Sequence, residues 1–196
     1  EYLNEYYPDV KIFGRYSKWW FFRKYNLAKL NQIDKYPFVY QLRARRLLDQ
    51  PLNMPLDSLT KLNRKVVSKY KSGLGLKYLQ DFIGDQIIEK SLKEFYQKNK
   101  LKITDSKTYE TILKNKTDKN LDWFFNDYLK TNKKIDYKIT KIKPSNNKDS
   151  LTVTIKNKRD IAVPISLYGL KDKEVLSKTW IKDIDSSKTF TIKNNF

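Results

Sequence analysis

Leu121-Asp122-Trp123-Phe124-Phe125-Asn126-Asp127-Tyr128-Leu129 is followed, eight residues on, by Tyr137-Lys138-Ile139-Thr140-Lys141-Ile142-Lys143. In the first stretch Leu121, Phe124, Phe125, Tyr128 and Leu129 fall at i, i+3, i+4, i+7 and i+8, the spacing of one helical face. In the second, apolar and polar residues alternate, as in a strand with one buried side. The period changes after Asn132, so the chain divides into a helical part, 1–132, and a β part, 133–196. The fold class is α+β: a helical array followed by a small antiparallel β-sandwich.

The β part repeats the alternation at Leu151 to Lys156. Pro144 to Asp149 makes a turn-rich loop before it. Ile161 to Leu167, Val175 to Ile181 and Thr189 to Ile192 bring the expected strands to five. Upstream, Val67, Tyr70, Leu74 and Tyr78, joined by Leu79, Phe82 and Ile83, form a long helical stripe. Gly84 suits its C-terminal cap and Asp85 the N-cap of the next helix, which carries Ile88, Leu92, Phe95 and Tyr96. A further helix begins near Asp105 or Ser106, and Asn120 caps the Trp-Phe-Phe segment. Shorter helices are expected over Tyr40 to Leu48 and Pro55 to Leu62. Residues 1 to 39 are aromatic and weakly periodic. Their Trp19-Trp20-Phe21-Phe22 run, followed by Arg23 and Lys24, reads as a surface packed against a partner or as a membrane-surface segment; packing is favoured.

A chain of 196 residues buries a real core, and 39% hydrophobic with 14% aromatic residues excludes the composition of disorder. The net charge is +19, from 41 Lys and Arg against 22 Asp and Glu. Basic and acidic residues number 26 and 15 in 1–132 and 15 and 7 in 133–196, so the excess is spread over both parts. Arg, the residue suited to bidentate phosphate and base contacts, occurs only seven times. No specific nucleic-acid partner is expected.

With no His and no Cys, the usual zinc motifs, the Ser-His-Asp triad, the Cys-His dyad and disulfides are all impossible within this sequence. No metal ligands and no bound cofactor are assigned to it. Gly73 and Gly75 lie inside a helical stripe, so close helix packing explains them better than a phosphate loop. Asp122 and Asp127 lie on a polar helix side and read as a solvated face. No apolar run approaches the ~18 residues of a transmembrane helix, and Glu1 to Glu5 lack the pattern of a signal peptide. The sequence reads as a piece of a longer parent.

Tyr70-Lys71-Ser72-Gly73, the helix running to Ile83-Gly84-Asp85, and Leu121 to Leu129 together resemble the M1 family of zinc aminopeptidases, the gluzincins. In that family the thermolysin-like domain ends with a Tyr-x-Lys-Gly helix start, a Leu-Gly-(Asp/Glu) helix end and a Leu-x-Trp-Phe-Phe helix. Ile135 to Ile139, Ile155 to Asn157 and Ile161 to Ile165 are similar to the sandwich that follows. The resemblance covers most of residues 60 to 170; Tyr2 to Pro8 is similar to the helix end after the third zinc ligand, and Glu1 is not assigned as that ligand. It implies a parent that hydrolyses peptides with a zinc-bound water, the zinc ligands lying in an upstream half of the peptidase domain. The partners implied are that half and a peptide substrate; the chain alone is expected to be inactive. Tyr70 matches the tyrosine that donates a hydrogen bond to the oxyanion, although its place on the apolar stripe also fits core packing. The departures are the missing His-Glu-x-x-His and Ser72 before Gly73. The alternatives are a noncatalytic M1-like scaffold or a basic binder of nucleic acid or an anionic surface. The compartment is open, with a lean toward the cell envelope or export.

Overall fold

The computed structural model describes residues 10–145, 149–159, 161–172 and 174–193; Glu1 and the Tyr2 to Pro8 segment lie outside them. The six α-helices there are α1 (Trp20–Lys24), α2 (Lys35–Arg45), α3 (Lys61–Lys65), α4 (Ser72–Ile83), α5 (Asp85–Asn99) and α6 (Ser106–Lys114). Five strands follow: β1 (Tyr137–Pro144), β2 (Ser150–Asn157), β3 (Ile165–Lys171), β4 (Glu174–Ile181) and β5 (Ser187–Lys193). The architecture is α+β, and the change from helix to strand falls between Tyr128 and Tyr137. Compact units divide elsewhere, at Tyr78/Leu79 inside α4.

In the first unit α2 starts at Lys35 and ends at Arg45, not over Tyr40 to Leu48 as the sequence pattern predicts. Pro37 falls in its first turn, where a missing N–H costs no helical bond. Leu47 at φ 56 then turns the chain out of the helix. The helix expected over Pro55 to Leu62 is reduced to a 3-10 turn, Leu56–Ser58, and α3 begins only at Lys61. The reason is a side-chain network that takes the backbone groups. Gln50 Nε2 donates to Ser58 O (3.2 Å), and Thr60 N–H donates to Gln50 Oε1 (2.9 Å). The buried Asn63 donates to Leu48 O (2.9 Å) and Gln50 Oε1 (2.7 Å), while Arg43 Nε donates to Asn63 Oδ1 (3.0 Å). Side chains thus fix this stretch irregularly, in competition with a helical ladder.

In the second unit α5 and α6 pack through Ile88, Ile112 and Leu113, with the Tyr109 ring edge-on to Phe95 at 5.5 Å. Asp105 caps α6 by accepting from Thr108 N–H at 2.9 Å. Gly84, not Asp85, is the N-cap of α5, at φ 104. A side chain is rarely tolerated at that φ, and the glycine lets two helices meet with no intervening loop. Asn120 Oδ1 accepts from Asp122 N–H (2.8 Å) at the head of the next segment. That segment, Trp123–Tyr128, is a π turn, not the α-helix its spacing suggests: Leu129 N–H reaches back five residues to Phe124 O. The wider turn brings Trp123 into the buried set with Phe124, Phe125 and Tyr128.

Strands β1, β2 and β5 form one antiparallel sheet in the order β1-β2-β5, and β3 with β4 a second. Val153 faces Phe190 and Leu151 faces Ile192 across β2 and β5, which puts apolar residues in register on one side. Val153, Ile155, Ile181 and Ile184 form the β core, with Tyr137, Leu167 and Phe190 packed around it. The strand expected from Ile161 starts only at Ile165. Residues 161–164 carry no ladder: Pro164 has no N–H, and Ile161 and Val163 are bonded by side chains, Asn157 Nδ2 donating to Ile161 O (2.9 Å) and Val163 N–H donating to the Tyr137 hydroxyl (2.9 Å). At the end of α4, Phe82 meets Trp180 of β4 edge-on at 5.0 Å, and Asp81 pairs with Lys178 at 2.5 Å.

Candidate functional site around Tyr70

Between α3 and α4 the backbone widens into a π turn, Val66–Lys71, in which Ser72 N–H bonds to Val67 O five residues back. Tyr70 does not open the helix; it sits inside this turn, one step before α4. The turn buries Val66, Val67, Tyr70 and Lys71 together. Those positions are i, i+1, i+4 and i+5, so the buried residues share one side of the turn. Single π turns inside helices are frequent at functional sites, because they aim side chains that a regular helix would point elsewhere.

Tyr70 is 6% exposed, and its ring stands edge-on to Tyr36 of α2 at 5.0 Å and 76°. Tyr36 and Tyr40 lie one turn apart on α2, the helix that packs against the π turn. Burial, and secondarily the carboxylate of the buried Asp49, push the Tyr40 phenol far above its ordinary value. Tyr40 therefore stays a neutral hydrogen-bonding group at any physiological pH. Lys71, the residue after the candidate tyrosine, is 1% exposed. Sequence reasoning passed over Lys71, although its i+4 relation to Val67 places it on the buried side.

The carboxylates Asp122 and Asp127 are paired with Lys114 (2.8 Å) and Lys133 (2.9 Å), as a solvated polar face would be. They also line a cleft of about 540 Å³ in the second unit, together with Asp118, Asp183, Phe82 and Trp123. Tyr70 is not part of its wall. Among the described residues no group of three or more His, Cys, Asp or Glu side chains is arranged to hold a metal ion, and with neither imidazole nor thiolate in the sequence the donors present do not fit zinc. Gly73 and Gly75 lie within α4, with Gly75 buried, and among the described residues no strand precedes them as a phosphate loop requires.

No family model matches this chain, and no curated protein matches it. No helix among the described residues is long and apolar enough to cross a membrane.

Proposed function

We propose that this chain is the C-terminal portion of an M1-like zinc metallopeptidase, and that Tyr70 is its hydrogen-bond donor to the reacting carbonyl oxygen. The observation that carries the reading is the placement of Tyr70 in a π turn at the head of α4, on the helix that ends at the left-handed Gly84. The motif residues behind the resemblance thus occupy two irregular points of one helix, where a phenol and a glycine each have a physical reason. The second π turn, Trp123–Tyr128, falls on the Trp-Phe-Phe motif. Zinc and its ligands belong, on this reading, to sequence outside these 196 residues, and the catalytic steps at the metal lie there too.

The task left to this chain is orientation of one O–H. A phenol held by the edge contact with Tyr36 loses little freedom when it donates to an oxygen that gains charge, and such a donor acts mainly in the transition state. In the longer protein, Tyr70→Phe is expected to lower kcat on aminoacyl substrates by about 10²-fold to 10³-fold, or ~3–4 kcal/mol, with KM nearly unchanged. A purely structural tyrosine behaves otherwise: phenylalanine keeps the ring against Tyr36, costs about 1 kcal/mol of stability or less, and leaves turnover near normal. A folded Tyr70→Phe protein with kcat within about threefold of wild type sinks the assignment.

A further inference from the structure

Residues 10–33 form a loop that closes on itself. At its base Ile12 N–H donates to Leu30 O (3.0 Å), Gln32 N–H to Val10 O (2.7 Å), and Lys11 Nζ to Asn31 Oδ1 (2.7 Å). Inside, the half-buried Phe13 and Phe22 pack ring to ring at 4.4 Å. The remaining aromatic side chains turn outward on a 3-10 turn, Gly14–Lys18, on α1 and on the residues that flank it: Trp19 is 61% exposed, Trp20 71%, and Tyr16, Phe21 and Tyr25 are exposed as well.

Cations interleave with these rings. Lys11, Arg15, Lys18, Arg23, Lys24 and Lys29 lie between Val10 and Ile33, and that span contains no carboxylate. Lys24 Nζ stands 4.8 Å from the Trp20 ring centre, and the Arg15 guanidinium 5.2 Å from that of Tyr16. Exposed aromatic clusters mark interaction surfaces. A protein interface that buried these cations would have to supply their counter-charges. Single-stranded nucleic acid would supply phosphates, but it stacks its bases on rings set along one track. Here Trp19 is extended, and Trp20 and Phe21 follow it in a helical turn whose successive residues point about 100° apart. Rings fanned in this way, with lysines among them, suit a fluid interface. Tryptophan and tyrosine settle at the headgroup level of a bilayer, and the cations meet anionic headgroups.

We propose that the 10–33 loop docks this protein onto an anionic membrane surface, with Trp19, Trp20 and Phe21 in the headgroup region and Lys18, Arg23 and Lys24 on the lipid phosphates and carboxylates. The proposal is independent of the peptidase reading. The test is co-sedimentation of the full 196-residue chain with vesicles of phosphatidylcholine alone or doped with phosphatidylserine. Binding is expected on the doped vesicles, with a blue shift of tryptophan emission. Each cation near such a surface is worth roughly fivefold in partitioning, so Lys18→Gln, Arg23→Gln and Lys24→Gln together should weaken binding on the order of 100-fold. Trp19→Ala with Trp20→Ala should weaken it by about tenfold or more while circular dichroism stays unchanged. The control removes the same charge elsewhere: Lys138→Gln, Lys141→Gln and Lys143→Gln on the exposed strand β1 should change binding by about twofold at most. An equal loss in the two triple variants, no binding to doped vesicles, or binding to single-stranded oligonucleotides in place of vesicles each overturns the proposal.

Discussion

Asn157 sets the clearest stability test. The residue is 6% exposed at the end of β2, directly opposite Tyr137 of β1. Its Nδ2 donates to Ile161 O (2.9 Å) and Ile184 O (3.0 Å), and its Oδ1 accepts from Arg159 N–H (3.0 Å). Asn157→Ala removes all three bonds, each worth about 1 kcal/mol net. The partners then fare differently. Ile161 O keeps the Tyr137 hydroxyl at 3.1 Å, and the exposed Arg159 backbone can turn to water. Ile184 is wholly buried, so its carbonyl bears the full cost of an unmet acceptor, about 1–3 kcal/mol. The sum is about 3 kcal/mol, or a fall of about 6–12 °C in Tm for a chain of this length. Thermal and urea melts followed by far-ultraviolet circular dichroism read it. Tyr137→Phe adds a second arm, because Tyr137 and Asn157 share Ile161 O as acceptor. Either single variant leaves that oxygen one donor and the double leaves none, so the double loss should exceed the sum by about 1 kcal/mol. A loss below about 1 kcal/mol for Asn157→Ala, or strict additivity, would refute the claim that these two side chains hold residues 157–159 and 161–164.

Glu94 accepts from Lys116 at 2.5 Å and Lys98 at 2.7 Å, and these hydrogen bonds, Lys116 foremost, hold its carboxyl at about 2. Because the folded value lies below the unfolded one, the pair stabilises above the ordinary carboxylate range and fades as pH falls toward about 2; a carbon-detected titration should show the low midpoint, Lys116→Met should raise it, and an ordinary midpoint in the wild type would end the argument. Zinc titrated into the isolated chain by calorimetry should give no specific heat, since carboxylates and water alone suit harder ions; a stoichiometric submicromolar site would contradict the reading of the sequence.

The five strands were legible because their alternation is long and their loops are rich in turn residues. Where ladder and pattern agreed, at β1, β2, β4 and β5, the boundaries differ by at most two residues. The helices of the second unit were equally plain, since Asp105, Asn120 and Gly84 are local signals read by local chemistry. Neither π turn was legible. At 66–71 the apolar stripe marks Val67 and Tyr70, whereas the buried side also takes in Val66 and Lys71. Lysine is rarely fully buried, so residue type argued against the place that its i+4 relation to Val67 allows. Of the candidate site, the sequence marked Tyr70 by resemblance, and its burial against Tyr36 depends on α2, a helix that the sequence pattern placed five residues too late.

Two of the places where element boundaries failed share one cause. At 48–60 and at 161–164 backbone groups that would have built a helix or a strand are bonded by Gln50, Asn63 and Arg43 in one case and by Asn157 and Tyr137 in the other. Hydrophobic periodicity is blind to such competition, because a carboxamide bonded to a main-chain group and one bonded to water look alike in sequence. The cost of an error is unequal as well. An apolar residue lost from a core forfeits its own burial and leaves a cavity, whereas a carboxamide lost from these networks strands several main-chain groups at once. The irregular segments are therefore not slack in the fold. They are held by few residues, each bonded to two or three others, and a chain so built tolerates change in its exposed lysines far better than in its handful of buried amides.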